Sequence, residues 1–471
     1  MVCSSLGRTI LRKIIRKFDE DFTFGLIRKT KRRLFHPVIN YVFYYTLVPF
    51  LFLIVLIILK LFAPKKVVSN ASKPVKPRLV WGCNPLTNNK YASRAMAQKG
   101  YFAKTFVGNY YARIAFKEDY DLYRYELFGI YRWLSESMKL AIEPYFSFIY
   151  LIFRFDIFHF AYDGGVLATT PLRFFEIQIL HFFNKKVVAM PYGGDAHVLQ
   201  AMRNNVYKFG QLYHYKSNSV YNIDKIRHWI DYFSKHADLC IGSINFDALY
   251  RYDILPVSYI SVDCDQWSPP IGYIYKNNGK DAPVAVAHSP NHRMIKGTEY
   301  IIAAIDRLKQ EGYKIEFHLL EGVKNTEVER ILKESDILVE LLVCGYGLSG
   351  MEGMALGKPV ISNFQTDTSV LRYYSYFNEC PIVQANIDTI YEKLKWLVEN
   401  PAIRKEIGEA SRRYAEKFHS YLSQQIMWEQ IYKQIWHGEN VDLMLLYHPL
   451  HGIYSRLYDE ALREKAKGSS I

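Results

Sequence analysis

The sequence predicts an α/β protein with two parallel-sheet domains that face each other across a cleft, preceded by a membrane segment. From Arg78 onward, apolar strand-like runs alternate with amphipathic helical stretches, which is typical of parallel sheets covered by helices on both faces. A run of turn-forming residues at 263–283, with two adjacent prolines, divides this alternation into two halves. Residues 37–59 contain no charged side chain.

These patterns divide the 471 residues into six segments. They are a basic amphipathic segment (1–36), a hydrophobic membrane segment (37–62), a linker (63–77), a first Rossmann-like domain (78–268), a second Rossmann-like domain (280–420) and C-terminal helices that cross back to the first domain (421–471).

Strands are predicted at the apolar runs of each half. In the first half they are 78–82, 101–107, 155–162, 186–192, 239–244 and 257–262. In the second half they are 284–290, 314–322, 337–343, 359–362 and 380–385.

The uncharged segment is long enough to cross a bilayer. As a helix its 23 residues would extend about 35 Å, against a hydrocarbon core of about 30 Å. The basic segment before it repeats Leu6, Ile10, Ile14 and Phe18 at helical spacing, with Arg and Lys between them. This pattern predicts a helix that lies on anionic membrane lipids.

Two topologies are compatible with the membrane segment. Ten Lys or Arg residues lie within 1–36 and five between 65 and 78, so the positive-inside rule places the N-terminus in the cytoplasm and the domains outside. Pro49 would instead allow a re-entrant hairpin with both ends on one face.

The amino-acid composition limits the kinds of binding partner that are expected. The net charge of +14 favours a polyanionic partner such as anionic lipid or a phosphorylated substrate. Nucleic acid is not expected, because the basic excess is concentrated near the membrane segment. The six cysteines (3, 83, 240, 264, 344 and 380) have no metal-ligand spacing and are expected to be reduced thiols, so no metal site is predicted.

The stretch "GYGLSGMEGMALGKPVIS" at 345–362 predicts a phosphate-binding site. It follows the predicted strand 337–343, and ligands of open parallel sheets sit at the carboxyl ends of strands. Gly345, Tyr346 and Gly347 form a loop that a ligand can approach closely, and a helix is expected to start at Gly350 with its N–H groups toward that loop. Glu352 on this helix is predicted to reach a sugar hydroxyl beside the phosphates.

Two cations are expected at the same edge of the sheet. Arg293 and Lys296 lie in the loop after the first strand of the second domain, just before its helix. Together they would supply the charge that two phosphates require.

The second half resembles the retaining glycosyltransferases of family 4, which have the GT-B fold. The resemblance rests on Gly345-Tyr346-Gly347, on Glu352-Gly353-Met354-Ala355 and on Gly357-Lys358-Pro359-Val360-Ile361. Arg293 and Lys296-Gly297 resemble the family's phosphate-binding pair. The resemblance implies a nucleotide-diphosphate sugar as donor, transfer with retention of configuration and no divalent metal, with the second domain binding the donor and the first the acceptor.

The first half carries a looser resemblance. "FDIFHF" and "PYGGDAH" are similar to family segments that place His159 and Asp195 on the acceptor side of the cleft. Three positions depart from the pattern: Cys344 replaces the first acid of the two-acid motif, and Tyr192 and Ala161 replace histidines. Glu340, four residues before Cys344 on the same strand face, is the predicted substitute for the missing acid.

The resemblance also implies a mechanism. Arg293, Lys296 and the helix N-terminus at Gly350 would stabilise the charge that develops on the β-phosphate, Glu352 would hold the ribose, and the departing phosphate would take the acceptor's proton. The membrane segment suggests a lipid-linked or membrane-growing glycan as acceptor. The catalytic domains are predicted on the cytoplasmic face, with a type II lumenal enzyme as the alternative. A catalytically inactive GT-B scaffold and a sugar-nucleotide epimerase are the competing functions.

Overall fold

A computed structural model describes residues 43–62, 75–111, 115–128, 136–214, 223–243, 246–343, 345–363 and 375–468. The basic segment 1–36, most of the linker 63–77, and Cys344 lie outside these described residues.

The first domain is built on a six-stranded parallel sheet. Its strands are β1 (Leu79–Cys83), β2 (Ala103–Val107), β3 (Leu122–Tyr123), β4 (Ile157–Phe160), β5 (Lys186–Ala189) and β6 (Leu239–Cys240). Their order is β3-β2-β1-β4-β5-β6, the strand order of a dinucleotide-binding Rossmann domain. The central strands are apolar on both faces and almost wholly buried, because helices cover the sheet on both sides.

The second domain has a five-stranded parallel sheet. Its strands are β7 (Val284–His288), β8 (Ile315–Leu319), β9 (Ile337–Val339), β10 (Val360–Ser362) and β11 (Val383–Gln384). Their order is β11-β10-β9-β7-β8, so the chain reverses direction across the sheet between β7 and β9. This is the flavodoxin-like order.

The structure describes fifteen α-helices. They are α1 (Val48–Phe62), α2 (Thr87–Gln98), α3 (Glu136–Arg154), α4 (Glu176–Phe182), α5 (Asn205–His214), α6 (Ile223–His236), α7 (Arg293–Lys296), α8 (Thr298–Gln310), α9 (Asn325–Glu334), α10 (Leu348–Ala355), α11 (Ser375–Asn378), α12 (Ile390–Glu399), α13 (Pro401–Phe418), α14 (Tyr421–Ile435) and α15 (Tyr454–Gly468). A π-helical turn, Phe43–Leu47, leads directly into α1.

Helix α14 returns to the first domain. Its Gln425 side chain donates a hydrogen bond to the Ala95 carbonyl of α2 at 2.8 Å, and Trp428 packs against Trp81 of β1. In the turn-forming run at 263–283, between the two domains, the Trp267 indole donates a hydrogen bond to the Tyr91 hydroxyl of α2 at 3.4 Å. These contacts join the two sheets into one GT-B-like arrangement with a cleft between them.

The strand predictions agree with the structure except at two places. All five predicted strands of the second half are present, each shortened at one or both ends. The strand predicted at 257–262 is wrong: that segment is a loop, in which Ser258 and Val262 bond to Gln424 and His419 of the C-terminal helical region instead of to a neighbouring strand. The short strand β3 was not predicted.

One described helical segment, Tyr44–Phe62, is long and apolar enough to cross a membrane, with a mean hydropathy of 2.5. The hairpin that Pro49 would allow is absent from this segment, because the helix continues through Pro49 to Phe62.

Candidate active site

The loops at the reversal point of the second sheet form the candidate site. The loop after β7 leads to Lys296, and the loop after β9 contains Glu340 and Gly345–Gly347. Open α/β sheets bind ligands at this point, because the loops on either side diverge and leave a crevice. The sequence placed Lys296 and the glycine loop after strands and Glu340 within a strand, whereas the observed strand β9 ends at Val339, so Glu340 also follows a strand.

A cavity of about 360 Å³ lies between the domains at this crevice. The second domain contributes Lys296, Glu340 and the loop Gly345–Gly347. The first domain contributes Tyr192, Gly193, His197, Tyr207 and Tyr259. Tyr376 and Phe377 of the second domain complete the wall. The size and mixed lining are those of a small-molecule site.

Glu340 is the centre of the polar network in this cavity. Its carboxylate is buried and forms an ion pair with the Lys296 ammonium. It accepts hydrogen bonds from the Ser349 hydroxyl at 3.0 Å and from the Gly347 N–H and the Ser362 hydroxyl, both at 3.3 Å. The protein's own carboxylate therefore occupies the seat that the sequence assigned to a phosphate, at the N-terminus of α10 and beside Lys296.

The glycines of the loop are required by its geometry. Gly345 has φ +81°, a conformation that side chains with a Cβ rarely adopt, and its N–H donates to the Asn363 carbonyl at 2.6 Å. A Cβ on Gly350 would lie 3.3 Å from Cγ of Glu340, so a larger residue would press on the carboxylate. Helix α10 begins at Leu348, two residues before the predicted start at Gly350.

Arg293 does not join Lys296 in the cavity. Its guanidinium bonds to the Glu299 carboxylate at 2.8 Å and to the Glu321 carboxylate at 2.7 Å, on the exposed side of α7. The two residues are three apart on a single helical turn, and their side chains diverge. The structure thus separates the two cations that the sequence predicted to act together, and a catalytic role for Arg293 stays a prediction.

Glu352 lies on α10, one turn after the start of that helix at Leu348. Its side chain is buried against the first domain and does not line the cavity. Burial raises the pKa of its carboxyl to about 8, and the nearby positive charge of Lys90 on α2 opposes this shift. The carboxyl is therefore largely protonated at neutral pH. Its role as a ribose ligand stays a prediction.

Asp195 shapes the first-domain wall of the cavity. Its buried carboxylate accepts hydrogen bonds from the N–H groups of Tyr192 at 3.0 Å, Gly193 at 2.8 Å and Tyr162 at 3.0 Å. Burial, and secondly the negative charge of Asp163, raise its pKa to about 7. Through these hydrogen bonds, Asp195 holds in place the loop whose Tyr192 and Gly193 line the cavity.

His159 is a core residue, and its predicted place on the acceptor side of the cleft is wrong. Its Nδ1 bonds to the Val80 carbonyl at 3.0 Å, the Tyr432 hydroxyl bonds to Nε2 at 3.0 Å, and the ring stacks on Trp81. Burial lowers its pKa to about 3. Nε2 is therefore used to attach α14 to the sheet and Nδ1 to bond to the neighbouring strand β1, so both ring nitrogens have partners in the core.

A second polar cluster, which sequence reasoning missed, lies at the reversal point of the first sheet. The Asn84 amide follows β1 and donates to the Asp163 carboxylate at 2.9 Å, and the Tyr192 hydroxyl after β5 donates to it at 3.0 Å. Asp163 also lines a neighbouring cavity of about 670 Å³ with Arg173, Lys225 and His228. The only feature of the sequence that could have identified Asp163 as a site residue is its position three residues after a buried strand.

The described residues contain no group of three or more His, Cys, Asp or Glu arranged to hold a metal ion. Cys83, Cys240, Cys264 and Cys380 are free thiols, and burial raises the pKa of Cys240 to about 11.

No protein-family model matches the chain, and neither does any curated protein. Among solved structures, sucrose-phosphate synthase from Thermosynechococcus elongatus is 12% identical with a TM-score of 0.48, over 78% of this chain and 100% of that one. HepE from Anabaena in complex with UDP-glucose is 12% identical with a TM-score of 0.46, over 74% of this chain and 98% of that one. A glycosyltransferase from Rickettsia africae is 13% identical with a TM-score of 0.44, over 78% and 100% of the two chains. At this level of similarity, the function of this chain has to be argued from its own site.

Proposed function

We propose that this chain is a membrane-associated glycosyltransferase that moves a sugar from a nucleotide-diphosphate sugar to an acceptor, with retention of configuration. The observation that carries the proposal is the meeting of Lys296, the Gly345–Gly347 loop and the N-terminus of α10 in one interdomain cavity. An ammonium largely shielded from solvent, a glycine loop and the positive end of a helix are the elements that bind a diphosphate.

In the proposed reaction, the bond between the sugar anomeric carbon and the β-phosphate oxygen breaks, and a bond from the acceptor oxygen to the same face of that carbon forms. The departing phosphate accepts the proton of the acceptor hydroxyl. Lys296 and the end of α10 stabilise the negative charge that develops on the diphosphate. For this, the Glu340 carboxylate has to leave Lys296 or turn toward a hydroxyl of the sugar, where it would act as the substitute for the acid absent at position 344.

The acceptor would sit on the first domain, at the cluster of Asn84, Asp163 and Tyr192. Tyr192 supports this placement, because it lines the donor cavity while its hydroxyl bonds to Asp163 at 3.0 Å. The apolar helix α1 on the same domain favours a lipid-linked or membrane-bound glycan as the acceptor. Because activated sugars are made in the cytosol, the catalytic domains are proposed to lie on the cytoplasmic face of the membrane.

Calorimetry and thermal unfolding with a panel of nucleoside diphosphates and their sugars test the proposal. At a ligand concentration 100-fold above Kd, binding adds about 2.7 kcal/mol to the stability of the folded state, which a melting curve detects. Lys296→Ala is expected to weaken nucleotide binding by about 10- to 100-fold, because a charge-assisted bond to phosphate is lost. Arg293→Ala is the matched control, since its guanidinium lies outside the cavity. Loss of binding in both variants would instead support the pairing predicted from sequence.

An inactive scaffold is the second candidate, and one observation favours it. The anion seat is already filled by Glu340, so the folded chain does not need a phosphate there. A scaffold would bind no member of the nucleotide panel at millimolar concentration, whereas the transferase would bind at least one.

A further inference from the structure

We propose that α1 does not cross the bilayer but lies along its surface, and that exposed phenylalanines of the first domain enter the same leaflet beside it. The partner is an anionic lipid bilayer. This inference concerns how the chain meets the membrane and holds whether or not the chain transfers sugar.

The first argument is that one face of the helical segment is attached to the first domain along its length. The Tyr44 hydroxyl donates to the Thr169 carbonyl at 2.8 Å, and the Phe52 ring lies 4.7 Å from that of Tyr145 on α3. At the other end, the Lys60 ammonium lies 5.2 Å from the centre of the Phe182 ring on α4. Sixteen residues separate Tyr44 from Lys60, or about 24 Å of helix.

A helix attached in this way cannot cross a bilayer alone. The hydrocarbon core is about 30 Å thick, so a spanning α1 would take the contacting parts of α3 and α4 with it. Those parts carry Gln178 and Arg154, and the cost of placing polar and charged side chains in hydrocarbon is high. A helix lying in the plane of the membrane avoids that cost, because the first domain stays outside.

The second argument is that the opposite face of α1 is apolar, exposed and continuous with the domain. Its exposed side chains are Phe50, Leu51, Leu53, Ile54, Val55, Ile57, Ile58, Leu61 and Phe62, and Leu47 of the preceding π-helical turn is exposed as well. On the domain beside it, Phe175 is 59% exposed and Phe182 51% exposed. Leu53 and Ile57 of α1 and Phe175 and Phe182 line a shared apolar groove of about 400 Å³. A contiguous apolar surface of this extent marks an interaction site rather than an ordinary protein surface.

The third argument is charge. Lys60 lies at the C-terminal end of this face, over the rings of Phe182 and Phe183. Arg173 flanks the other end, next to Phe174 and close to Tyr44. Long cationic side chains at the rim of an apolar face place their charges among lipid headgroups. The net charge of +14 agrees with anionic lipid as the partner.

Sidedness of the two termini tests the topology. The full-length chain, tagged at each end and expressed in bacteria, is treated with protease in sealed inverted membrane vesicles. We expect both tags to be digested together, since a helix in the membrane plane leaves both ends on one side. Protection of one tag with digestion of the other would show that α1 spans the bilayer and would overturn the proposal.

Vesicle binding tests the surface itself. The purified full-length chain is floated with phosphatidylglycerol-containing vesicles or with pure phosphatidylcholine vesicles. Phe175→Asp/Phe182→Asp is expected to lower partitioning onto the anionic vesicles by about tenfold or more, because two half-exposed phenyl rings no longer enter the apolar region. Phe175→Ala/Phe182→Ala should give a smaller loss in the same direction without a change of charge.

Two controls separate this proposal from others. Trp396→Asp alters an aromatic residue with 40% exposure on the second domain, and its partitioning should equal that of the unaltered chain. Lys296→Ala should bind vesicles normally even if it binds no nucleotide, so failure of the proposed function would not affect this result. Equal partitioning of the unaltered chain and the Phe175/Phe182 variants would overturn the inference.

Discussion

Lys296 and Glu340 form a buried ion pair at the N-terminus of α10, and this pair joins the loops after β7 and β9 across the reversal point of the second sheet. The Glu340 carboxylate uses the partners that a bound diphosphate would also use, namely the Lys296 ammonium and the Gly347 N–H. If a diphosphate binds here as proposed, the carboxylate competes with it for these groups and lowers the affinity of the site for anions.

Glu340→Gln is therefore expected to tighten binding of pyrophosphate by about tenfold, because the amide keeps the shape of the side chain but removes a charge that repels phosphate at short range. Titration calorimetry with pyrophosphate measures the change. Glu321→Gln, which alters a carboxylate paired with Arg293 outside the cavity, serves as the control and should have little effect. Weaker pyrophosphate binding in the Glu340 variant would show that the carboxylate organises the seat instead of blocking it.

The buried carboxyl of Glu352 should make stability depend on pH. Its pKa rises from 4.5 in the unfolded chain to about 8 in the folded one, so between these values folding takes up a proton. The stability that this group contributes is complete below pH 4.5 and is lost as the pH rises through 8, at about 1.4 kcal/mol per pH unit.

Glu352→Gln removes this titration while it retains the volume of the side chain. We expect the variant to gain stability relative to the unaltered chain as the pH rises from 5 to 8, by a few kcal/mol in all. Urea denaturation at several pH values gives the difference, and Glu406→Gln on the exposed face of α13 is the control. A difference that does not vary with pH would contradict the assignment.

His159 and Tyr432 should behave as a structural pair. His159→Leu removes both ring nitrogens and leaves the Val80 carbonyl and the Tyr432 hydroxyl without their partner, at a cost of about 2 kcal/mol. Tyr432→Phe should cost less, and the double variant should show a coupling energy of about 1 kcal/mol in a denaturation cycle. Loss of sugar transfer without loss of stability in His159→Leu would restore the catalytic role predicted from sequence.

Asp163 is expected to act on the acceptor and not on the donor. Asp163→Asn keeps a hydrogen-bond partner for Tyr192 but removes the charge, and we expect kcat/KM for the acceptor to fall by about 10- to 100-fold. Nucleotide binding measured by calorimetry should stay unchanged. Asp231→Asn, on the exposed face of α6, should alter neither quantity, and a parallel loss of nucleotide binding in Asp163→Asn would place the residue in the donor site.

The local features of the fold could be predicted from the amino-acid sequence. Apolar runs of strand length, separated by amphipathic stretches, predicted all five strands of the second sheet, and the glycines at 345 and 347 located the loop after β9. These features are readable because they depend on neighbours along the chain: periodicity, turn residues and the backbone freedom of glycine. The segment 257–262 misled the prediction, because an apolar run shows that a segment is buried but not whether a strand lies beside it.

Which charged groups meet depends on the packing of the folded chain and could not be predicted. Arg293 and Lys296 are three residues apart, yet the single turn of α7 directs one to exposed carboxylates and the other into the cavity. The strand order brought Glu340 to Lys296 and Asp163 to Asn84, over separations of 44 and 79 residues. His159 became a core residue because a helix more than 250 positions later covers its strand. Such pairings depend on packing between distant segments, and one sequence carries no periodic signal for them.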